Sequence, residues 1–232
     1  MHTINDALHS DTQKSLLRLY YPTMITAHAG AEDTLPNTPE SLRMMLSSGA
    51  DAVEVDLRKH EGILCLSHDE PVSSQSCTTL QAAFDLLKAA PGVMMNIDVK
   101  SSGLIEDILI LARENDLADR LLLTGDVGSD DLEMIRNNEI PLWMNNYILP
   151  LLEWGNPVKA AQKRGFSIVN IDKRRLTDKM LQEQADRFSV WTVDDEETLR
   201  SLLQAKVKNI TTRKPALALR LREEIQETLK PQ

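Results

Sequence analysis

Between Met24 and Pro71 the chain gathers two histidines, His28 and His68, and two carboxylates, Glu54 and Asp56, and the later run NIDVK adds Asp98 and Lys100. Glu54 and Asp56 are two residues apart, as are Asp98 and Lys100, a spacing that turns both members of each pair to the same side of a strand. Carboxylates aimed together into an interior are costly unless something neutralises them, and a divalent cation both neutralises them and occupies their oxygens. Three carboxylates without a thiolate or a histidine cluster suit Mg2+ or Ca2+ better than Zn2+. Two histidines beside such a centre can divide proton transfer between base and acid, with Lys100 holding a developing negative charge, which is the chemistry of phosphodiester cleavage. The competing use of the same acids is a structural network with Lys100 and Arg58. His60 belongs to a hairpin turn, and His2 and His9 to the N-terminal segment, where solvent-facing roles are expected.

The elements that must carry these residues form a repeating pattern: a short apolar run, a turn with acidic, Gly or Asn punctuation, then a helical segment. MITAHAG is the first strand, and Thr38 with Pro39 marks the start of the next helix as N-cap and first helical position. DAVEVDLRK and ILCLSHD pair across Glu61-Gly62 as a hairpin. VMMNIDVK, RLLLTGD, IPLWMNNYI, FSIVNID, FSVWTVD and KNITT follow, each with a helix behind it. Eight such units predict an α/β fold of the (β/α)8 TIM-barrel type; an open doubly wound sheet more often has five or six strands and a Gly-rich first turn, which this chain lacks. A barrel places its active site at the C-terminal strand ends, where His28, Glu54, Asp56, His68, Asp98, Lys100, Asn170 and Trp191 fall. Residues 1–22 read as a short N-terminal helical segment, with Ile4 to Tyr21 amphipathic, and 23–232 as a single barrel domain.

Composition narrows the partners. A formal charge of −9 argues against a nucleic-acid surface, and no apolar run approaches the roughly 20 residues that span a bilayer. Two cysteines are too few for a secreted disulfide framework and the N-terminus lacks a signal-peptide profile, so the expected location is cytoplasmic.

Taken together, AHAG, PNTPES, GADAVEVDLR, LSHDEP, NIDVK, WTVDDEE and NITT, in this order, resemble the glycerophosphodiester phosphodiesterase family of metal-dependent barrels, and the resemblance runs from the first strand to the eighth. It implies that His28 and His68 are the acid–base pair, that Glu54, Asp56 and Asp98 hold the divalent metal, Mg2+ or Ca2+, and that Lys100 contacts the phosphate. Trp191 would form part of the substrate wall, and Asn170 is grouped with these two as substrate-binding. Asn37 is expected to fix the first loop.

The implied reaction is hydrolysis of a glycerophosphodiester to an alcohol and glycerol 3-phosphate, a step of lipid metabolism, on a small-molecule diester or a lysophospholipid headgroup. The alternatives are a sphingomyelinase D- or lysophospholipase D-like enzyme that releases a cyclic phosphate, and a degenerate barrel that binds a phosphorylated ligand without turnover. Three departures bear on the choice. Ala29 stands where the family has Arg, removing a bidentate phosphate donor. Asp98 replaces a longer Glu. The small domain usually inserted after His-Asp is missing, so the mouth should be open and the loop from Ser73 to Thr78 becomes the specificity element. Cys65 and Cys77 flank that loop and are expected as two free thiols.

Overall fold

The computed structural model describes residues 23–71, 73, 76–145, 153 and 155–228. The predicted helix over Ile4 to Tyr21 lies outside them. Strands β1 (Met24–Ala27), β2 (Ala52–His60), β3 (Ile63–Leu66), β4 (Thr78–Thr79), β5 (Met94–Val99), β6 (Leu121–Gly125), β7 (Met144–Asn145), β8 (Val169–Asp172), β9 (Phe188–Trp191) and β10 (Asn209–Thr212) alternate with helices α1 (Pro39–Ser47), α2 (Leu80–Lys88), α3 (Ile105–Glu114), α4 (Ser129–Asn137), α5 (Pro157–Lys163), α6 (Asp178–Gln184), α7 (Glu196–Ala205) and α8 (Pro215–Thr228).

Eight of the strands are parallel and close a ring in the order β1, β2, β5, β6, β7, β8, β9, β10 and back to β1. Among the described residues the join between β6 and β7 is the thinnest part of it, a single bridge of Leu123 to Leu142 with hydrogen bonds Leu123 N to Pro141 O (2.9 Å) and Trp143 N to Leu123 O (3.0 Å). The expected (β/α)8 barrel is therefore the observed fold. β2 runs on past the ring and pairs antiparallel with β3 across Glu61 and Gly62, both at positive φ as a tight hairpin turn requires.

Alternation along the strands builds two environments. Outward positions such as Ile25, Val53, Val55, Ile97, Leu123 and Val190 pack under the helices in one continuous core. The intervening inward positions begin with an apolar plug, where Met24 and Met94 pack on Leu122, Trp143 and Ile168. Above the plug the interior is polar. Helix starts follow the local sequence: Thr38 accepts a hydrogen bond from Ser41 N (3.2 Å), Thr79 from Ala82 N (3.1 Å) and Asp195 from Thr198 N (2.9 Å).

The cysteines correct the sequence-based expectation. Cys65 and Cys77 are a disulfide, not free thiols. Leu66 and Cys65 pair in register with Thr78 and Thr79, and this two-residue strand, which no apolar run announces, brings Cys77 back beside Cys65. Arg222 of α8 reaches the opposite end of the barrel, bonding Asp51 Oδ2 (2.5 Å) and Thr23 O (3.2 Å) and fastening the last helix to the first strands.

Candidate active site

β2 and β5 lie side by side with Glu54 opposite Asn96 and Asp56 opposite Asp98, so strand parity and register together set three carboxylates at the barrel mouth. One oxygen from each of Glu54, Asp56 and Asp98 lies within 4.8 Å of the other two, the one such group among the described residues. The shorter Asp98 still reaches the cluster.

Each carboxylate is held differently. Asn37, at the positive φ of 59° in the loop after β1, binds Asp56 twice: its amide donates to Oδ2 (2.8 Å) and its carbonyl accepts from the Asp56 N–H (3.2 Å). Lys100 Nζ bridges Asp56 Oδ1 (2.8 Å) and Asp98 Oδ2 (2.5 Å). Glu54 Oε2 accepts the Ala29 N–H (3.1 Å) and has His28 Nε2 at 3.9 Å. The Ala29 side chain is buried and supplies no charge, so its contribution to the site is this backbone donor.

The electrostatics follow. Burial, opposed by His28 and reinforced by Asp56 and Asp98, pushes the Glu54 carboxyl from 4.5 up to about 7. Burial also pushes Asp56 up, but Lys100 and Asn37 outweigh it and hold that carboxyl below its usual value. Burial alone would lower the Lys100 ammonium; Asp98 and Asp56 raise it instead, so it remains charged. Three buried or half-buried carboxylates thus share one lysine, and Glu54 is the member left undercompensated. That deficit, with an all-oxygen donor set, fits a hard divalent cation held by Glu54, Asp56 and Asp98. The alternative network is half present: Lys100 joins the acids, whereas Arg58 turns away to His68 O (2.9 Å) and Glu70 (3.4 Å).

His28 directly follows β1 and contacts the Ala29 carbonyl through Nδ1 (2.8 Å). A carbonyl only accepts, so Nδ1 carries the hydrogen, and Nε2, the nitrogen near Glu54, presents a lone pair whenever the ring is neutral. His68 lies in the loop after β3, which is tied to the end of β2 by Ser67 N to Asp56 O (3.0 Å). Its ring is exposed, and Nδ1 bonds Asp69 Oδ1 (2.9 Å), not a member of the acidic cluster. His60 faces Glu70 (3.8 Å) in the hairpin.

Trp191 ends β9 beside Asp172, and its buried indole N–H has no hydrogen-bond partner among the described residues. Asn170, on β8, is half-buried and turned into the barrel. Its amide nitrogen donates to Asn145 Oδ1 (2.7 Å) and its carbonyl accepts from Ser189 Oγ (2.8 Å), so it belongs to a polar ladder inside the barrel. The ladder continues through Asn209 Nδ2 to Ser189 Oγ (3.0 Å) and Thr26 Oγ1 to Asn209 Oδ1 (2.7 Å). Sequence reasoning also passed over Thr124, whose hydroxyl donates to Asp98 Oδ1 (3.0 Å). Its only sequence signal is strand parity toward the interior.

By sequence the chain matches no family model and no curated protein. Solved structures do match it. A barrel assigned to the glycerophosphoryl diester phosphodiesterases of Agrobacterium tumefaciens superposes with a TM-score of 0.76 at 17% identity, over 88% of this chain and 99% of that one. A glycerophosphodiester phosphodiesterase from Parabacteroides distasonis gives 0.66 at 20% identity, over 90% and 99%. An Oleispira antarctica phosphodiesterase, determined in complex with the product sn-glycerol-3-phosphate, gives 0.66 at 17% identity, over 89% and 99%. The class these define is a (β/α)8 barrel of the phosphodiesterase kind. This chain has the fold of the glycerophosphodiester phosphodiesterase barrels.

Proposed function

We propose that the chain is a divalent-metal-dependent phosphodiesterase that cleaves glycerophosphodiesters to an alcohol and glycerol 3-phosphate. The observation that carries the reading is the Glu54, Asp56 and Asp98 cluster, undercompensated at Glu54 and flanked by His28 and Lys100, at the mouth end of this fold. The neighbour that holds sn-glycerol-3-phosphate supports the product class.

Glu54, Asp56 and Asp98 would hold the cation, Mg2+ or Ca2+. When bound, it supplies positive charge for a phosphate oxygen. His28, with its Nε2 lone pair free, takes the proton from the attacking water, whose oxygen becomes the fourth oxygen of the released glycerol 3-phosphate. His68, whose Nδ1 is occupied by Asp69, gives a proton from Nε2 to the leaving alcohol. Lys100 trades a carboxylate contact for the phosphate and offsets charge that grows in the transition state. Trp191 walls the substrate, and its unpartnered N–H is free to donate. Asn170, bonded to Asn145 and Ser189, keeps the wall in place and has a second amide hydrogen for the substrate.

Among the described residues no helix is long and apolar enough to cross a membrane.

The deciding experiment is a diester panel, with glycerophosphocholine, glycerophosphoethanolamine, a lysophospholipid and an aryl diester, run with Mg2+, Ca2+ and a chelator. Release of glycerol 3-phosphate, lost on chelation, is expected. A cyclic phosphate from the lysophospholipid would move the assignment to the lyase type. No turnover and no metal binding would leave a binding barrel, the reading that Ala29 motivates.

A further inference from the structure

An aspartate stands third in the acidic cluster, one methylene shorter than the glutamate of the family pattern, and its reach depends on where its carboxylate is aimed. Asp98 Oδ2 is taken by Lys100 (2.5 Å). Oδ1 faces the end of β6, where Asp98 is in register with Thr124 and Val99 with Gly125. The Thr124 side chain is 1% exposed and its hydroxyl lies 3.0 Å from Asp98 Oδ1 and 3.2 Å from Asn96 Oδ1. Gly125 has φ +98°, and a Cβ there would meet Val99 O at 2.1 Å, Val99 N at 2.6 Å and Asp98 Oδ1 at 2.7 Å. The bare glycine therefore lets β6 close on β5, and that closeness delivers the Thr124 hydroxyl to the carboxylate.

We propose that Thr124 is a positioning residue: its hydroxyl fixes the Asp98 carboxylate so that the shorter side chain serves as the third member of the cation site. Outer hydrogen-bond partners of metal-holding carboxylates typically change metal affinity by about 10–100-fold when removed. Thr124→Val keeps the shape and removes the donor; Thr124→Ser keeps the donor. The inference rests on the reading of Glu54, Asp56 and Asp98 as a cation site.

The test is calorimetric titration of the full chain with Mn2+, on wild type and both variants, each first shown folded by circular dichroism. The expected result is about 10–100-fold weaker binding by Thr124→Val and binding by Thr124→Ser within about threefold of wild type, as rescue by a retained donor requires. Equal affinity of Thr124→Val and wild type overturns the inference and leaves the cation site standing, as does equal weakening by both variants, which would trace the effect to packing. A wild type that binds no Mn2+ overturns the cation site and this inference with it.

Discussion

Two halves of one barrel treat the same inward positions in opposite ways. Around β7 to β10, Asn145, Asn170, Ser189 and Asn209 hydrogen-bond to one another, and Thr26 closes the series from β1. Around β2 and β5 the inward side carries the carboxylates Glu54, Asp56 and Asp98, with one amide, Asn96, opposite Glu54. Amides and hydroxyls carry donors as well as acceptors, so a ring of them can satisfy itself; ionised carboxylates only accept, so a cluster of them always needs something from outside. Asn37, Thr124, Lys100 and the Ala29 N–H supply part of that need. The remainder is what a cation would meet. One half is finished by folding, and the other is left to the cation proposed for it.

The contrast is most exposed in turnover. Glu54→Ala and His68→Ala should each lower kcat on a glycerophosphodiester by about 10³-fold or more, with the circular dichroism spectrum unchanged, whereas Asn170→Ala should stay within about fivefold because it lies in the self-satisfied half. A comparable loss at Asn170 would erase the division between the halves; wild-type turnover in Glu54→Ala or His68→Ala would remove the chemistry from the other.

Next in size is a pH effect on the metal-free protein. The Glu54 carboxyl is raised in the folded state from 4.5 to about 7. Its contribution to stability is therefore full below about pH 4.5 and is lost as pH rises through about 7, because the folded state must then hold an unwanted charge. In chelator, the wild type should lose up to about 3 kcal/mol relative to Glu54→Gln between pH 4.5 and 8, as read from urea midpoints. A constant difference between the two proteins over that range would show that Glu54 is compensated after all. Addition of Mg2+ at pH 8 should restore stability to wild type but not to Glu54→Gln.

Smaller again is Asn209→Ala. Asn209 is fully buried and bonds Thr26, Ser189 and Thr211. Its loss should cost about 2 kcal/mol, the range for buried partners left unsatisfied, with metal affinity unchanged. A shift in metal affinity would mean that the ladder reaches into the charged half.

How much of this was legible in the sequence depended on range. A helix start was readable where a cap acts within four residues, as at Thr38. The acidic cluster was readable because parity puts Glu54 with Asp56 without any knowledge of the neighbouring strand. Parity says that Asn170 faces inward too, and there it is ambiguous: a ligand and a rung of a ladder have the same spacing. Only pairing across β7, β8 and β9 separates them. The same holds for Thr124, which matters through its register with Asp98. Cys65 and Cys77 meet because β4 pairs with β3, and a two-residue strand has too little pattern to be seen.

Among the described residues β6 and β7 meet through one bridge, which marks a seam at which the chain could be divided. His28, Glu54, Asp56, Asp98 and Lys100 all precede that seam in the chain, and Asn145, Asn170, Ser189 and Asn209 all follow it. Separate expression of two fragments, cut in the stretch between α4 and β7, would test whether the barrel reassembles as complementing halves, with amide exchange in the intact chain fastest on the strands flanking the cut.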